Sequence, residues 1–121
     1  MQRCIGRLTP TRSILLLCDM QEKFARTIQY FNEIVDTSSR VLDTCKIAKV
    51  PYLVTEHYPK GWYLVGFVNN YKVIGLSKCQ GLGRTVPKLQ EKIDKSLVFE
   101  KTRFSMCTSS VLEKMEQIAP S

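Results

Sequence analysis

A chain of 121 residues holds one domain or part of one, and its 44% apolar and 24% charged content excludes collagen, coiled-coil and wholly disordered classes. Eighteen Lys and Arg against eleven Asp and Glu give a formal charge of +7. The basic residues are scattered, with no run of five, so a solvated basic surface is expected rather than a nucleic-acid partner. No apolar run is long enough to span a bilayer, and no membrane partner is expected. Five cysteines, Cys4, Cys18, Cys45, Cys79 and Cys107, contain no C-x-x-C pair, so neither a metal site nor a redox motif is signalled. Residues 1–12 read as a leader with three Arg and no acid. It is similar to a mitochondrial transit peptide but short, and there is no secretory core, so free thiols in the cytoplasm are expected.

Ile14-Leu15-Leu16-Leu17 is an aliphatic run without alternation, the pattern of a strand buried on both faces of a parallel sheet. Asp19 follows it, where open α/β sheets bind ligands, although Asp is also a favoured helix cap. Cys18 adjoins Asp19, so strand alternation predicts that its side chain faces the other way. Met20 to Tyr30 reads as a short helix or ordered loop, with Phe24 and Ile28 four apart. A helix follows in which Ile34, Ser38, Val41, Cys45 and Ala48 form an apolar stripe, widened by Val35 and Leu42 and stopped by Pro51. Tyr52-Leu53-Val54-Thr55 is a second strand ending in Glu56 and His57, which completes a βαβ unit.

Gly61 to Gly75 is aromatic, apolar and acid-free, and reads as a β-hairpin with Asn69-Asn70 at its turn. Residues 87–95 are helix-compatible behind Pro87. Ser96-Leu97-Val98-Phe99-Glu100 is a third strand with Lys101 at its end. A last helix begins near Ser110, where Ser110 and Glu113 have capping-box spacing, and Val111, Leu112, Met115 and Ile118 form its apolar face.

Three strand ends thus bring Asp19, Glu56 and Lys101 to one edge of a parallel sheet. A carboxylate and an ammonium there hold each other charged, and the Lys steadies a developing negative charge. A nucleophilic site needs one more group, a thiol or hydroxyl whose proton Asp19 takes. His57 is the only His of the chain, too few for a His-based metal centre, and no cofactor is expected. Gly81 and Gly83 form no phosphate-binding loop.

The stretches Cys18-Asp19-Met20-Gln21-Glu22-Lys23-Phe24, Thr55-Glu56-His57-Tyr58-Pro59-Lys60-Gly61, Gly81-Leu82-Gly83-Arg84-Thr85-Val86-Pro87 and Glu100-Lys101-Thr102-Arg103-Phe104-Ser105 occur in this order. With them the chain resembles the isochorismatase-like cysteine hydrolases, and within them the isochorismatase domain-containing subgroup. The resemblance implies a three-layer α/β/α sandwich with a parallel, Rossmann-like sheet. It also implies hydrolysis of a small-molecule amide or related bond by an Asp, a Lys and a Cys acting together. Asp19 matches the family's Asp and Lys101 its Lys, while Phe24 and Tyr58 fall at the wall of the substrate pocket; the substrate itself is not specified.

Two departures stand out. The family's nucleophilic Cys follows a fourth strand, beyond the helix that Ser110 starts, and this chain ends before that place. The expectation is therefore the N-terminal half of such a domain over residues 13–121, inactive by itself, with an unpaired first strand that promotes self-association. Cys107, just ahead of a helix, is the substitute thiol, although a small buried Cys is the commoner role. The alternative is a non-catalytic short form acting as a protein-interaction partner. The second departure is an insertion at about 61–80, whose removal restores the family pattern. It is either extra coding sequence or a real hairpin, and spliced message that consistently carries it identifies the latter.

Overall fold

The computed structural model describes residues 8–58, 62–68, 71–79 and 81–118. In chain order the elements are β1 (Leu15–Cys18), α1 (Phe31–Ile47), β2 (Tyr52–His57), β3 (Trp62–Val68), β4 (Tyr71–Cys79), α2 (Pro87–Gln90), β5 (Val98–Lys101) and α3 (Ser109–Ile118). β1, β2 and β5 form a three-stranded parallel sheet in the order β1-β2-β5. With its helices this sheet makes an α/β sandwich.

Register partners in a parallel sheet project to the same face, so the pairings sort the side chains. Leu17 and Val54 are partners, and on their face they join Phe31, Val35, Leu42, Val86 and Leu89 in one buried cluster. Leu16 and Leu53 are partners on the opposite face, where Leu53 is fully buried and Leu16 is 40% exposed. Among the described residues β1 pairs only with β2 and is an edge.

Helix α1 starts three residues earlier than its apolar stripe predicts and is rotated from it. The buried seam is Phe31, Val35, Ser39 and Leu42, whereas Ile34 and Val41 are 40% and 43% exposed. The sheet and α2 together cover only one side of the helix, and the larger cluster selects the Phe31–Leu42 side; burying Leu42 contributes about 1.5–3 kcal/mol. At the other end, α3 begins at Ser109, and the Thr108 carbonyl accepts its first helical bond from Leu112 N at 2.9 Å. Ser110 therefore lies inside the first turn and is not the cap that its spacing from Glu113 suggests. Of the predicted α3 face, Val111 is buried but Leu112 is exposed.

The stretch Glu22–Arg26 is a 3-10 turn, which resolves the helix-or-loop alternative there. Residues 87–95 supply only the single turn of α2, and β5 starts two residues later than expected. β3 and β4 pair antiparallel, from Trp62 with Cys79 to Val68 with Tyr71. The expected turn at Asn69-Asn70, Cys4 and the rest of residues 1–7, and the chain's last three residues lie outside the described residues.

Candidate active site

β1 ends at Cys18, and the next residue, Asp19, has a φ of +51°. That left-handed step interrupts the two-residue alternation of the strand. Cys18 is the register partner of Thr55, and the Thr55 hydroxyl donates to Asp19 Oδ1 at 2.8 Å. Asp19 and Cys18 therefore end on the same side, and the expected outward-facing Cys18 is corrected: its thiol interacts with both Thr55 and Asp19. Burial pushes that thiol up, the Asp19 charge adds to the rise, and Thr55 and Lys101 offset it only in part. Cys18 is thus held as a thiol, not poised as a thiolate.

Lys101 closes the arrangement. His57 and Lys101 are register partners at the ends of β2 and β5, on the face that Thr55 shares. Lys101 Nζ donates to Asp19 Oδ2 at 2.7 Å, to the Arg103 carbonyl at 2.9 Å and to the Phe104 carbonyl at 3.1 Å. An ammonium has three hydrogens, so each has an acceptor and the charge is fixed in place. The Lys101 side chain is fully buried, whereas the Asp19 side chain keeps 17% exposure. Two lone pairs on each carboxylate oxygen leave Asp19 able to accept a further proton or hydrogen bond from a group that approaches it. The arrangement is a fixed positive charge holding a reachable base.

Glu56 does not join the pair. One position out of phase with Thr55 and His57, it turns to the opposite face beside its register partner Glu100. There Arg84 Nη1 donates to both Glu56 Oε2 and Glu100 Oε1 at 2.9 Å. The Thr85 amide and hydroxyl donate to Glu56 Oε1 at 2.8 and 2.9 Å. Burial pushes the Glu56 carboxyl up, but these donors outweigh it and hold the group below the usual carboxylate range. Glu56 is a clamp on the 81–87 loop, and the three-member strand-end constellation reduces to Asp19 and Lys101.

Gln21 and Thr55 are participants that residue type alone did not mark. Gln21 is fully buried; its Nε2 donates to the carbonyls of His57 and Gly83 at 3.0 and 2.7 Å, and its Oε1 accepts from His57 N at 2.6 Å. It ties the segment after β1, the end of β2 and the 81–87 loop together. The position of Gln21 two residues after Asp19 was its only signal, and a buried Gln looks like a surface one in sequence. Gly83, at φ +80°, lets this loop pass Glu22, whose Oε2 lies 3.1 Å from where a Cβ would sit. Gly83→Ala is expected to cost about 1–2 kcal/mol, the penalty of an L residue in left-handed backbone. Chemical denaturation checks this, and an unchanged midpoint removes the constraint.

The two expected pocket residues part company. Tyr58 lies beside the pair, with its ring edge-on to His57 at 4.4 Å and its amide donating to the Lys101 carbonyl at 3.0 Å. Phe24 instead packs half-buried against the apolar cluster on the Leu17 face. Cys107 is exposed and lies two residues before α3. Among the described residues no group of three or more His, Cys, Asp and Glu side chains is placed to hold a metal, and no helix is long and apolar enough to cross a membrane.

A parallel α/β sandwich with a carboxylate–ammonium pair beyond its strand ends defines a class of small-molecule active site. The chain belongs to the isochorismatase family: residues 13–117 match the model described as "Isochorismatase domain". It is 40% identical over 114 residues to isochorismatase domain-containing protein 2 of Danio rerio, covering 94% of this chain and 47% of the relative. It is 35% identical to isochorismatase family protein 1A of Dictyostelium discoideum, covering 95% of this chain and 48% of the relative. Its fold is similar to the solved MAR1 ribonuclease of Caenorhabditis elegans, with a TM-score of 0.70 and 39% identity, covering 92% of this chain and 48% of that one. The chain thus spans about half the length of the relatives it matches.

Proposed function

We propose that this chain carries the acid–lysine half of a family hydrolase site acting on a small-molecule amide or related bond. The observation that supports this most is the 2.7 Å ion pair between buried Lys101 and reachable Asp19 beyond the strand ends. In the proposed reaction Asp19 takes the proton of a cysteine thiol, and the thiolate attacks the amide carbon. The C–N bond breaks, the amine leaves with the proton, and water cleaves the resulting thioester. Lys101 keeps Asp19 ionised and balances negative charge as it develops. Thr55 holds the other carboxylate oxygen.

The thiol is the part this chain does not offer in a suitable state. Cys18 is beside Asp19 but its thiol is pushed up, Cys45 lies within α1, and Cys107 is exposed. We infer that the 121-residue chain alone does not turn over amides. Assay of the purified chain on a panel of simple amides tests this, with single-stranded RNA included because the solved relative is described as a ribonuclease. Turnover that disappears in Cys18→Ala or Cys107→Ala overturns the inference. In a longer form carrying a Cys after a further strand, Asp19→Asn is expected to lower kcat by orders of magnitude. A near-normal rate there removes Asp19 from the chemistry.

The β1 edge favours a second reading, a short form that acts by association with another chain. Leu15–Cys18 is apolar, and among the described residues one side of it has no strand partner. Such an edge recruits a further strand. Light scattering after gel filtration is expected to find oligomers; a monodisperse monomer with a cooperative melt excludes this reading.

A further inference from the structure

The face that carries Asp19 and Lys101 also carries an aromatic group that the acid–lysine chemistry does not use. Phe104 is 92% exposed, yet its ring stacks on the buried imidazole of His57 at 5.4 Å between centroids and 19° between planes. Tyr58 closes the edge of the same imidazole at 4.4 Å and 76°. An exposed Phe has no solvation reason to stand over a buried charged site, since leaving apolar area in water is unfavourable. Its position is set by Lys101, whose ammonium takes the carbonyls of Arg103 and Phe104. One cation therefore fixes the base, Asp19, and the backbone that presents the ring.

We propose that Phe104, backed by His57 and edged by Tyr58, is a stacking platform that selects substrates bearing a flat aromatic or heteroaromatic ring next to the scissile carbonyl. One face of the Phe104 ring is taken by His57, and its 92% exposure leaves the other open to a ligand. Lys101 Nζ lies 3.5 Å from His57 Nδ1 and 3.1 Å from the Phe104 carbonyl. A ring seated on Phe104 thus carries its exocyclic carbonyl on a short arm toward the Asp19–Lys101 pair. Aromatic rings favour offset or edge contact with other π-systems over saturated rings of the same size, which makes the platform selective and not merely greasy. This assignment rests on the hydrolase reading for the scissile bond, but ring binding itself is measured without turnover.

The test uses the full chain and three probes with the same amide group: benzamide, cyclohexanecarboxamide and acetamide. Saturation-transfer NMR titration is expected to give benzamide an affinity about tenfold above the other two, a difference typical of one good aromatic contact. Phe104→Ala is expected to erase that preference, and Phe104→Tyr to keep it. Because Phe104 is so exposed, the Ala variant should keep the parent Tm, which separates a lost platform from a lost fold. Equal binding of the three amides, or a benzamide preference that survives in Phe104→Ala, overturns the proposal. If benzamide binds through Phe104 but a longer, Cys-bearing form never hydrolyses any amide, the platform stands and the hydrolase reading fails.

Discussion

Lys101→Met is expected to destabilise the chain by about 3 kcal/mol, near the lower end of the 3–5 kcal/mol seen when one partner of a buried ion pair is removed. Methionine fills the stem of the lysine, so the loss is electrostatic and not one of volume. Three acceptors lose their donor together: the Asp19 carboxylate and the carbonyls of Arg103 and Phe104. The 17% exposure of Asp19 lets water recover part of this, which is why the lower end applies. The whole stability of such a domain is on the order of 5–15 kcal/mol, so a fall in Tm on the order of 10 °C should follow. Asp19→Asn leaves the opposite problem, a buried ammonium without its counter-ion. The double variant Asp19→Asn/Lys101→Met should therefore be more stable than the sum of the single losses predicts, by about 1–3 kcal/mol. Urea denaturation of the four proteins measures this cycle. Simple additivity would mean that the two side chains do not act on each other.

Glu56→Gln has the next largest expected effect, and its signature is in pH. The carboxylate accepts from Arg84 and from both donors of Thr85, and its register partner Glu100 shares the guanidinium. An amide keeps one acceptor oxygen, but its NH2 then confronts a donor, either Arg84 or Thr85. The loss at neutral pH should be about 1.5–3 kcal/mol, the range for hydrogen bonds to a charged group. Burial raises the Glu56 carboxyl, its donors lower it further than that, and the folded value lies below the unfolded one. The stabilisation is therefore complete above the ordinary carboxylate range and fades as pH falls through the folded value. Denaturation midpoints of parent and variant should differ most at neutral pH and converge in acid. A gap that stays constant down to the acid transition would falsify the clamp as the origin of the difference.

These two variants separate the roles of residues that look alike in the chain. Both Asp19 and Glu56 are carboxylates just at or beyond strand ends, and sequence spacing makes them equivalent. In the fold one is a reachable base paired with Lys101, and the other is a buried brace for the 81–87 loop. The signature stretches divide along the same line. Gln21, Gly83, Arg84, Thr85 and Glu56 assemble the loop, while Asp19, Thr55 and Lys101 form the charged centre.

The parallel strands, their order along the chain and the meeting of Asp19 with Lys101 were legible from sequence. An unalternated aliphatic run commits a segment to a covered sheet, and the residue after such a strand has one place to be. Three things depended on tertiary structure. The left-handed turn at Asp19 reversed the facing of Cys18, because one residue's φ shifts the phase of everything beyond it. The seam of α1 moved from Ile34 and Val41 to Phe31, Val35 and Leu42, because apolar residues outnumber what one face can bury and the neighbouring elements choose among them. Phe24 went to the core and Phe104 to the site, because side-chain type records the preference for apolar contact but not which contact is offered.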